Sequence, residues 1–284
     1  MGDKDIILKN ESQIPWTSDH TRWLTHTAQL TTSDGKLIDV WELSHGDDEV
    51  VLSAWARHFR NHYCLDTEID CLRDGTGLSR PEYLNNIKFP DRLQRPGPSI
   101  RAGDFGEVLV ADFLEYLQGY WVPRTRYSNK TIRNESPKGS DIIGFKIVED
   151  RTTSPEDELA IFEAKTQFSG RNPKPRLQDA LDHSAKDVAR KAESLNAIKQ
   201  RLHDRNEHAD VKKIGRFQNE VDNPYKEVYG AVALFENRLF DNDLTCATDS
   251  SAHPNSGDLV LVVIRGNQMM RLVHKLYRRA ADEA

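Results

Sequence analysis

Two strand-length segments with almost no polar residues constrain the fold of this chain most strongly. They cover residues 228–235 and 259–264. A strand that is apolar on both sides needs cover on both sides, as the inner strands of helix-flanked parallel sheets have. No apolar run approaches the roughly 18 residues that a membrane helix needs. The two segments therefore predict a covered central sheet and argue against a membrane-spanning protein.

The spacing of apolar residues elsewhere predicts the helices and strands around this sheet. Helices are expected over residues 51–64, 81–87, 99–118, 177–203 and 268–282. Further strands are expected over residues 36–43, 120–126, 141–148 and 158–167. From residue 99 the order is α-β-β-β-α-β-β-α, which indicates an α/β fold with a helix-flanked mixed sheet.

A proline-containing connector divides the sequence into two parts. Pro90, Pro96 and Pro98 favour extended backbone, so we place a boundary near residue 98. Residues 1–98 are expected to form an N-terminal α+β region. Residues 99–284 are expected to form the core that carries the regular helix and strand order.

Charge is distributed unevenly along the chain, although its net value is −6. Residues 1–70 carry 13 acidic and 6 basic residues, whereas residues 171–216 carry 12 basic and 7 acidic residues. Basic segments favour an anionic ligand on the C-terminal part, but solvated helix faces give the same pattern. The three cysteines form no CxxC pair, and the N-terminus shows no apolar signal segment. Both features favour a soluble cytoplasmic protein.

The predicted strand over residues 158–167 carries the first candidate for chemistry. Side chains alternate along a strand, so Glu163 and Lys165 share one face with apolar residues. Charges on a buried strand are costly unless they are paired or bind a metal. A plain ion pair at the end of a strand explains the two residues equally well.

Two further carboxylates are expected near this pair. Asp141 opens the preceding strand after a Gly-Ser turn, and a hairpin would bring it beside Glu163. Glu107 lies at the edge of the apolar face of the helix over residues 99–118. Carboxylate oxygens bind hard cations, and a neighbouring lysine stabilises charge on a phosphate. Taken singly, Asp141 is a common turn residue and Glu107 an ordinary residue of a helix boundary.

Other motif classes receive less support. His58 and His62 are one helical turn apart, but no third ligand accompanies them in register, which favours packing or surface roles. The sequence contains no Walker A loop, G-x-S-x-G elbow or G-x-G-x-x-G fingerprint.

Glu107, Asp141 and the triplet Glu163-Ala-Lys165 resemble the PD-(D/E)xK nuclease pattern. Two other D-x-K triplets, at residues 34–36 and 210–212, have no preceding apolar strand. At the Glu163 triplet, by contrast, an apolar strand, an upstream aspartate and a glutamate-bearing helix occur together. Asp141 follows Ser140 rather than a proline, which departs from the pattern.

Longer segments are similar to the HamA family of the Hachiman antiphage defence system. They are residues 55–63, 101–107, 119–126, 134–141 and 162–165. The resemblance implies a restriction-endonuclease-like fold and a metal-dependent DNA nuclease. It also implies a superfamily 2-type helicase partner, HamB, which restrains the nuclease until invading or damaged DNA is engaged.

The resemblance implies a role for each candidate residue. Asp141 and Glu163 are expected to bind Mg²⁺ or Mn²⁺, and Glu107 to support a water ligand or a second metal. Lys165 is expected to assist the attacking water. Candidate phosphate contacts are Arg124, Arg126, Arg133 and Lys138, and residues 1–98 are expected to dock the partner. The alternatives are a non-catalytic nuclease-like adaptor that binds DNA and a structural subunit that regulates a helicase.

Overall fold

Within the described residues, six strands form one mixed sheet. A computed structural model describes residues 16–149 and 152–284. The strands are β1 (Leu24–Thr31), β2 (Leu37–Leu43), β3 (Ile142–Lys146), β4 (Glu158–Gln167), β5 (Lys226–Glu236) and β6 (Leu259–Gly266). Their order across the sheet is β1-β2-β6-β5-β4-β3. The two outer pairs are antiparallel and the inner pairs are parallel.

Helices cover both faces of this sheet. In the described ranges they are α1 (Glu49–Tyr63), α2 (Ile69–Arg73), α3 (Arg80–Tyr83), α4 (Gly97–Asp112), α5 (Arg176–Asp204), α6 (His208–Arg216), α7 (Asn242–Cys246) and α8 (Met269–Asp282). The predicted α/β fold with a helix-flanked mixed sheet is confirmed. The sequence pattern did not predict β1, α2, α6 or α7. No helix among these described residues is both long enough and apolar enough to cross a membrane.

Strands β5 and β6 are buried on both faces, as their apolar sequences predict. On one face, Ala231 and Leu261 belong to an apolar cluster with Leu181 of α5. On the other face, Val232 and Ile264 belong to a larger core that α1, α4 and α8 complete. The sheet is therefore a middle layer between two layers of helices.

Helix α4 lies close against β4 because of a glycine. A Cβ atom at Gly106 would lie 2.4 Å from Cγ2 of Thr166, so a larger residue would push helix and strand apart. The helix continues beyond Asp112 as a π-helical turn over Phe113–Leu117. The close approach places Glu107, the residue after this glycine, next to the strand that carries Glu163.

The N-terminal region and the core share one sheet. Strand β2 pairs in parallel with β6. Trp55 and Phe59 of α1 are buried in the same apolar core as Phe105 of α4. The boundary that the sequence predicts near residue 98 lies at the start of α4. Residues on both sides of it contribute to the same apolar core. Residues 1–15 of the N-terminal region lie outside the described residues.

The strand predicted over residues 120–126 is wrong. In this described segment, Trp121 forms an isolated bridge with Phe145, and its N–H donates to the Phe145 carbonyl at 2.8 Å. Pro123 has no N–H with which to continue a ladder. The side chains of Arg124 and Arg126 enter buried ion pairs instead, so side-chain partners rather than a neighbouring strand fix the segment.

The acidic turn over residues 47–49 is paired within the chain. Asp48 is the N-cap of α1, where its side chain accepts two hydrogen bonds from backbone N–H groups. Asp47 Oδ1 lies 3.0 Å from Lys275 Nζ, and Glu49 Oε2 lies 2.6 Å from Arg279 Nη1. Part of the acidic N-terminal charge is therefore neutralised by basic residues of α8, and the turn is more than a solvated loop.

Candidate active site

The free edge of β4 brings Asp141 to Glu163. Strand β3 begins at Ile142, opposite Phe162, so β3 covers only the first half of β4. Asp141 lies just before β3, and its Oδ2 accepts a hydrogen bond from the N–H of Ala164 at 3.2 Å. The predicted proximity of Asp141 and Glu163 follows from this hairpin. The backbone of β4 itself holds the Asp141 carboxylate.

Glu163 lies between a lysine and a histidine. Its Oε1 accepts a hydrogen bond from Lys165 Nζ and lies 3.4 Å from Nδ1 of His183 on α5. Burial raises the pKa of Glu163 to about 9, and the charge of Asp141 raises it further, against the lowering effect of Lys165. A hydrogen bond between the two carboxyl groups acts in the same direction as the burial.

Arg126 joins Glu107 to Asp141. Its Nε donates to Glu107 Oε2 at 2.7 Å, and its Nη2 donates to Asp141 Oδ1 at 2.7 Å. The hydroxyl of Tyr127 donates to Glu107 Oε2 at 2.5 Å. Burial raises the pKa of Glu107 to about 8, although Arg126 lowers it. Arg126 thus acts as a fixed positive charge between two candidate ligands, which differs from the predicted contact with phosphate.

A fourth carboxylate, which the sequence pattern did not single out, lies in the same cleft. Asp187 of α5 is 2% exposed, and its Oδ2 has no hydrogen-bond partner among the described residues. Burial raises the pKa of Asp187 to about 6, and the charge of Asp141 adds to this effect. One signal was available: Asp187 continues the buried stripe of Leu177, Ala180 and Ser184, where an aspartate is out of place.

The donor set of the cleft suits a divalent cation. Besides the exposed Glu193, four carboxylates line it: Glu107, Asp141, Glu163 and Asp187. Within the described residues, Arg126 pairs with Glu107 and Asp141, and Lys165 pairs with Glu163. No other arginine or lysine there forms an ion pair with these four carboxylates. Buried carboxylates in excess of their cationic partners need either protons or a metal ion. Oxygen ligands of this kind are those that Mg²⁺ and Mn²⁺ prefer.

The three carboxylates that the sequence singled out do not converge on one point. A shared cation needs one carboxylate oxygen from each residue, with all three oxygens close together. Among the described residues, no such set of oxygens from Glu107, Asp141 and Glu163 lies within 4.8 Å of one another. Asp141 and Glu163 contact each other, whereas Glu107 reaches Asp141 through Arg126. The structure therefore brings two of the predicted ligands together directly and the third through a guanidinium group.

The cleft is open and its rim is basic. It has a volume of about 680 Å³ and runs from Asp141 along α5 as far as Arg201. Apart from the paired Arg126, its exposed or half-buried arginines and lysines are Lys138, Arg190 and Arg201, and they outnumber one exposed acid, Glu193. Of the predicted phosphate contacts, Lys138 alone lies exposed on this rim among the described residues. Arg133 pairs with Asp91, and Arg124 is buried.

Arg124 belongs to a second buried cluster, around Asp112. Asp112 Oδ1 lies 2.8 Å from Arg124 Nη1 and 2.9 Å from His58 Nε2, and its Oδ2 lies 2.9 Å from His20 Nε2. Arg124 also donates to His62 Nε2 at 2.8 Å. His58 and His62 thus take part in a buried hydrogen-bond network. The sequence pattern did not single out Asp112, the residue at its centre.

This cluster is the one group of described residues whose three ligand atoms, from His20, His58 and Asp112, lie within 4.8 Å of one another. Its hydrogen bonds argue against a metal. The N–H of Thr17 donates to Nδ1 of His58 at 3.1 Å, so Nε2 of the neutral ring carries the proton and donates to Asp112. Burial lowers the pKa of His58 to about 4, which keeps the ring neutral. Arg124 already supplies the positive charge that Asp112 requires.

The raised carboxyl pKa values predict how stability depends on pH in EDTA. The pKa values of Glu107 and Glu163 in the folded protein, about 8 and about 9, lie above their values in the unfolded chain. Through these two groups the folded state binds more protons, so the free energy of unfolding falls as the pH rises from about 7 to 9, above the range in which the buried, neutral His58 has the opposite effect. Urea unfolding at each pH measures this slope. Glu163→Gln should flatten the slope above pH 7, and an equal slope in this variant would contradict the assignment.

Comparison with known protein families gives a match over nearly the whole chain. A family model described as HamA matches residues 18–280. The match includes every residue of the cleft described above. No curated protein matches the chain. The chain therefore belongs to the HamA family of Hachiman antiviral defence proteins.

Proposed function

We propose that the protein is a metal-dependent DNA nuclease, and that the free edge of β4 is its active site. The observation that carries the proposal is the β3–β4 hairpin, which sets Asp141 on the backbone of β4 next to Glu163 and Lys165, inside an open cleft with a basic rim. Phosphodiester hydrolysis needs a cation for the phosphate charge, an oriented water molecule and a nearby positive group. The residues of this cleft supply candidates for each requirement. The choice of DNA as the substrate rests on the family resemblance.

Asp141 and Glu163 are the proposed ligands of Mg²⁺ or Mn²⁺. When bound, such a cation stabilises charge on the phosphate and lowers the pKa of a coordinated water. The N–H of Ala164 holds the Asp141 carboxylate in place. Glu107 remains a proposed supporting ligand, but Arg126 would have to move before Glu107 could contact a cation directly.

Lys165 is the proposed partner of the attacked phosphate. Its ammonium group contacts Glu163, the proposed metal ligand. A phosphate bound to the cation would therefore lie beside Lys165. A fixed cation at this point stabilises the charge that develops on the phosphorane. His183, at 3.4 Å from Glu163, is placed to hold a water molecule at the mouth of the cleft.

The rim of the cleft is the proposed path of the DNA backbone. Lys138, Arg190 and Arg201 line it, and none of these three forms a salt bridge within the described residues. Lysine and arginine groups at such a rim bind phosphates in a salt-dependent, sequence-independent manner. The rim therefore supports binding to nucleic acid without preference for a base sequence.

The helicase partner is also a proposal, and it rests on the family resemblance. Residues 1–98 remain the proposed docking region. Asp47 and Glu49 already pair with α8, and Asp48 caps α1, so charge reversal at these positions would disturb the fold as well as a docking surface. Exposed acids such as Asp74, away from these pairs, are better probes of docking.

Removing divalent cations is expected to abolish DNA cleavage. The purified protein, alone and with its helicase, is incubated with labelled DNA in Mg²⁺, in Mn²⁺ and in EDTA. Cleavage is expected with either metal, because the proposed ligands are hard oxygen atoms. A reducing agent should have no effect, because the cleft contains no cysteine.

The outcome separates the enzyme from the adaptor. Full cleavage in EDTA would exclude the proposed chemistry. DNA binding without cleavage in every metal, both alone and with the helicase, would favour the non-catalytic adaptor.

A further inference from the structure

The carboxylates on the two sides of the cleft differ in whether a positively charged side chain pairs with them. On the α4 side, Glu107 is held by Arg126 at 2.7 Å and by Tyr127 at 2.5 Å. Both groups donate to Oε2, and Arg126 donates at the same time to Asp141 Oδ1. The charge of Glu107 therefore has a partner that is itself held by the carbonyls of Ser140 and Pro137.

On the α5 side, Asp187 has no such partner. It is 2% exposed, forms no salt bridge within the described residues, and leaves Oδ2 without a hydrogen-bond partner there. A buried carboxylate oxygen of this kind carries a desolvation cost that a native structure normally compensates. The absent compensation indicates a ligand for Asp187 beyond the residues that the structure describes.

The position of Asp187 identifies that ligand chemically. One helical turn before it, His183 approaches Glu163 at 3.4 Å, so α5 presents this face to the Glu163 end of β4. Asp187 lines the same cleft as Asp141, Glu163 and Ser140, the residue before Asp141. Among the described residues, these three carboxylates do not each offer an oxygen within 4.8 Å of the other two, so Asp187 has to approach the pair before all three contact one cation. Carboxylates that line one cleft attract a divalent cation and repel an anion.

We infer that Asp187, rather than Glu107, is the third carboxylate of the cation site. Asp141 and Glu163 share the cation with Asp187 on the α5 side, while Arg126 stays in place on Glu107. Glu107 then acts as a positioning residue, because it holds the guanidinium group that holds Asp141. This inference rests on the proposed function, since it concerns the same cation.

Direct binding of Mn²⁺ at pH 8 tests the inference. Isothermal titration calorimetry compares the wild type with Asp187→Asn, Glu107→Gln and Asp182→Asn. The last variant is a matched control, because Asp182 is an exposed aspartate of the same helix. Loss of a ligand should weaken Mn²⁺ binding at least about tenfold in Asp187→Asn. Glu107→Gln should lose less than Asp187→Asn, and Asp182→Asn should match the wild type within about twofold.

Thermal unfolding in EDTA separates a ligand from a structural residue. The substitution Asp187→Asn removes a buried charge without removing bulk, so this variant should melt no lower than the wild type at pH 8. A lower melting temperature together with wild-type Mn²⁺ affinity would show that Asp187 is structural and would overturn the inference. A larger loss of affinity in Glu107→Gln than in Asp187→Asn would also overturn it. Absence of Mn²⁺ binding in the wild type would instead contradict the proposed function itself.

Discussion

Replacing Glu163 with glutamine is expected to reduce DNA cleavage by about a thousandfold or more. Glu163 contacts both Asp141 and Lys165, so the change removes a proposed metal ligand and the anchor of the ammonium group proposed to act on the phosphate. Interactions of this class contribute several kcal/mol to the transition state, and each 1.4 kcal/mol is about tenfold in rate. Initial rates on labelled DNA in Mg²⁺, for the protein with its helicase, measure the effect. Lys165→Ala should cause a loss of similar size.

The matched control is Glu158→Gln. Glu158 lies at the other end of the same strand, where it pairs with Lys146 and accepts a hydrogen bond from Tyr120. The same substitution there should leave the cleavage rate within about twofold of the wild type. Circular dichroism should show both variants folded. A Glu163→Gln variant that cleaves DNA at the wild-type rate would remove Glu163 from the mechanism.

Replacing Asp112 with asparagine is expected to lower the free energy of unfolding by about 3 kcal/mol or more. Asp112 is fully buried and accepts from Arg124, His58 and His20. Asparagine would remove one of the two carboxylates that pair with the buried guanidinium of Arg124 and leave Glu115 as the other. Its amide also offers one acceptor oxygen where the carboxylate offers two to these donors. Urea unfolding at pH 7 measures the change.

Asp39→Asn provides the comparison for this effect. Asp39 also pairs with a histidine, His26, at 3.1 Å, but both side chains are more than 40% exposed. Exposed pairs of this kind contribute about 1 kcal/mol or less. A loss in Asp112→Asn as small as that in Asp39→Asn would show that the buried network does not stabilise the fold.

The sequence predicted the part of the site that depends on strand periodicity. The alternation of β4 places Leu159 and Ile161 in an apolar cluster with α5, and Ala160 and Phe162 in the opposite core. The face that carries Glu163 follows from the same alternation. A hairpin between β3 and β4 then fixes Asp141, because the register of the pair is set by this burial.

The remaining part depends on long-range ion pairs, which periodicity does not encode. Arg124 and Arg126 were expected to contact phosphate, and the prediction of a strand over residues 120–126 ignored their need for partners. In the structure, Arg124 reaches Asp112 and Arg126 reaches Glu107, both on α4. One segment therefore connects the buried histidine cluster with the candidate active site.

The most direct test of the central claim is to locate a bound cation. Crystals of the protein soaked in Mn²⁺ give an anomalous difference map at the manganese edge. We expect a peak within coordination distance of Asp141 and Glu163, and its disappearance in Glu163→Gln. A map without a peak at these carboxylates, or with its peak among His20, His58 and Asp112 instead, would contradict the account.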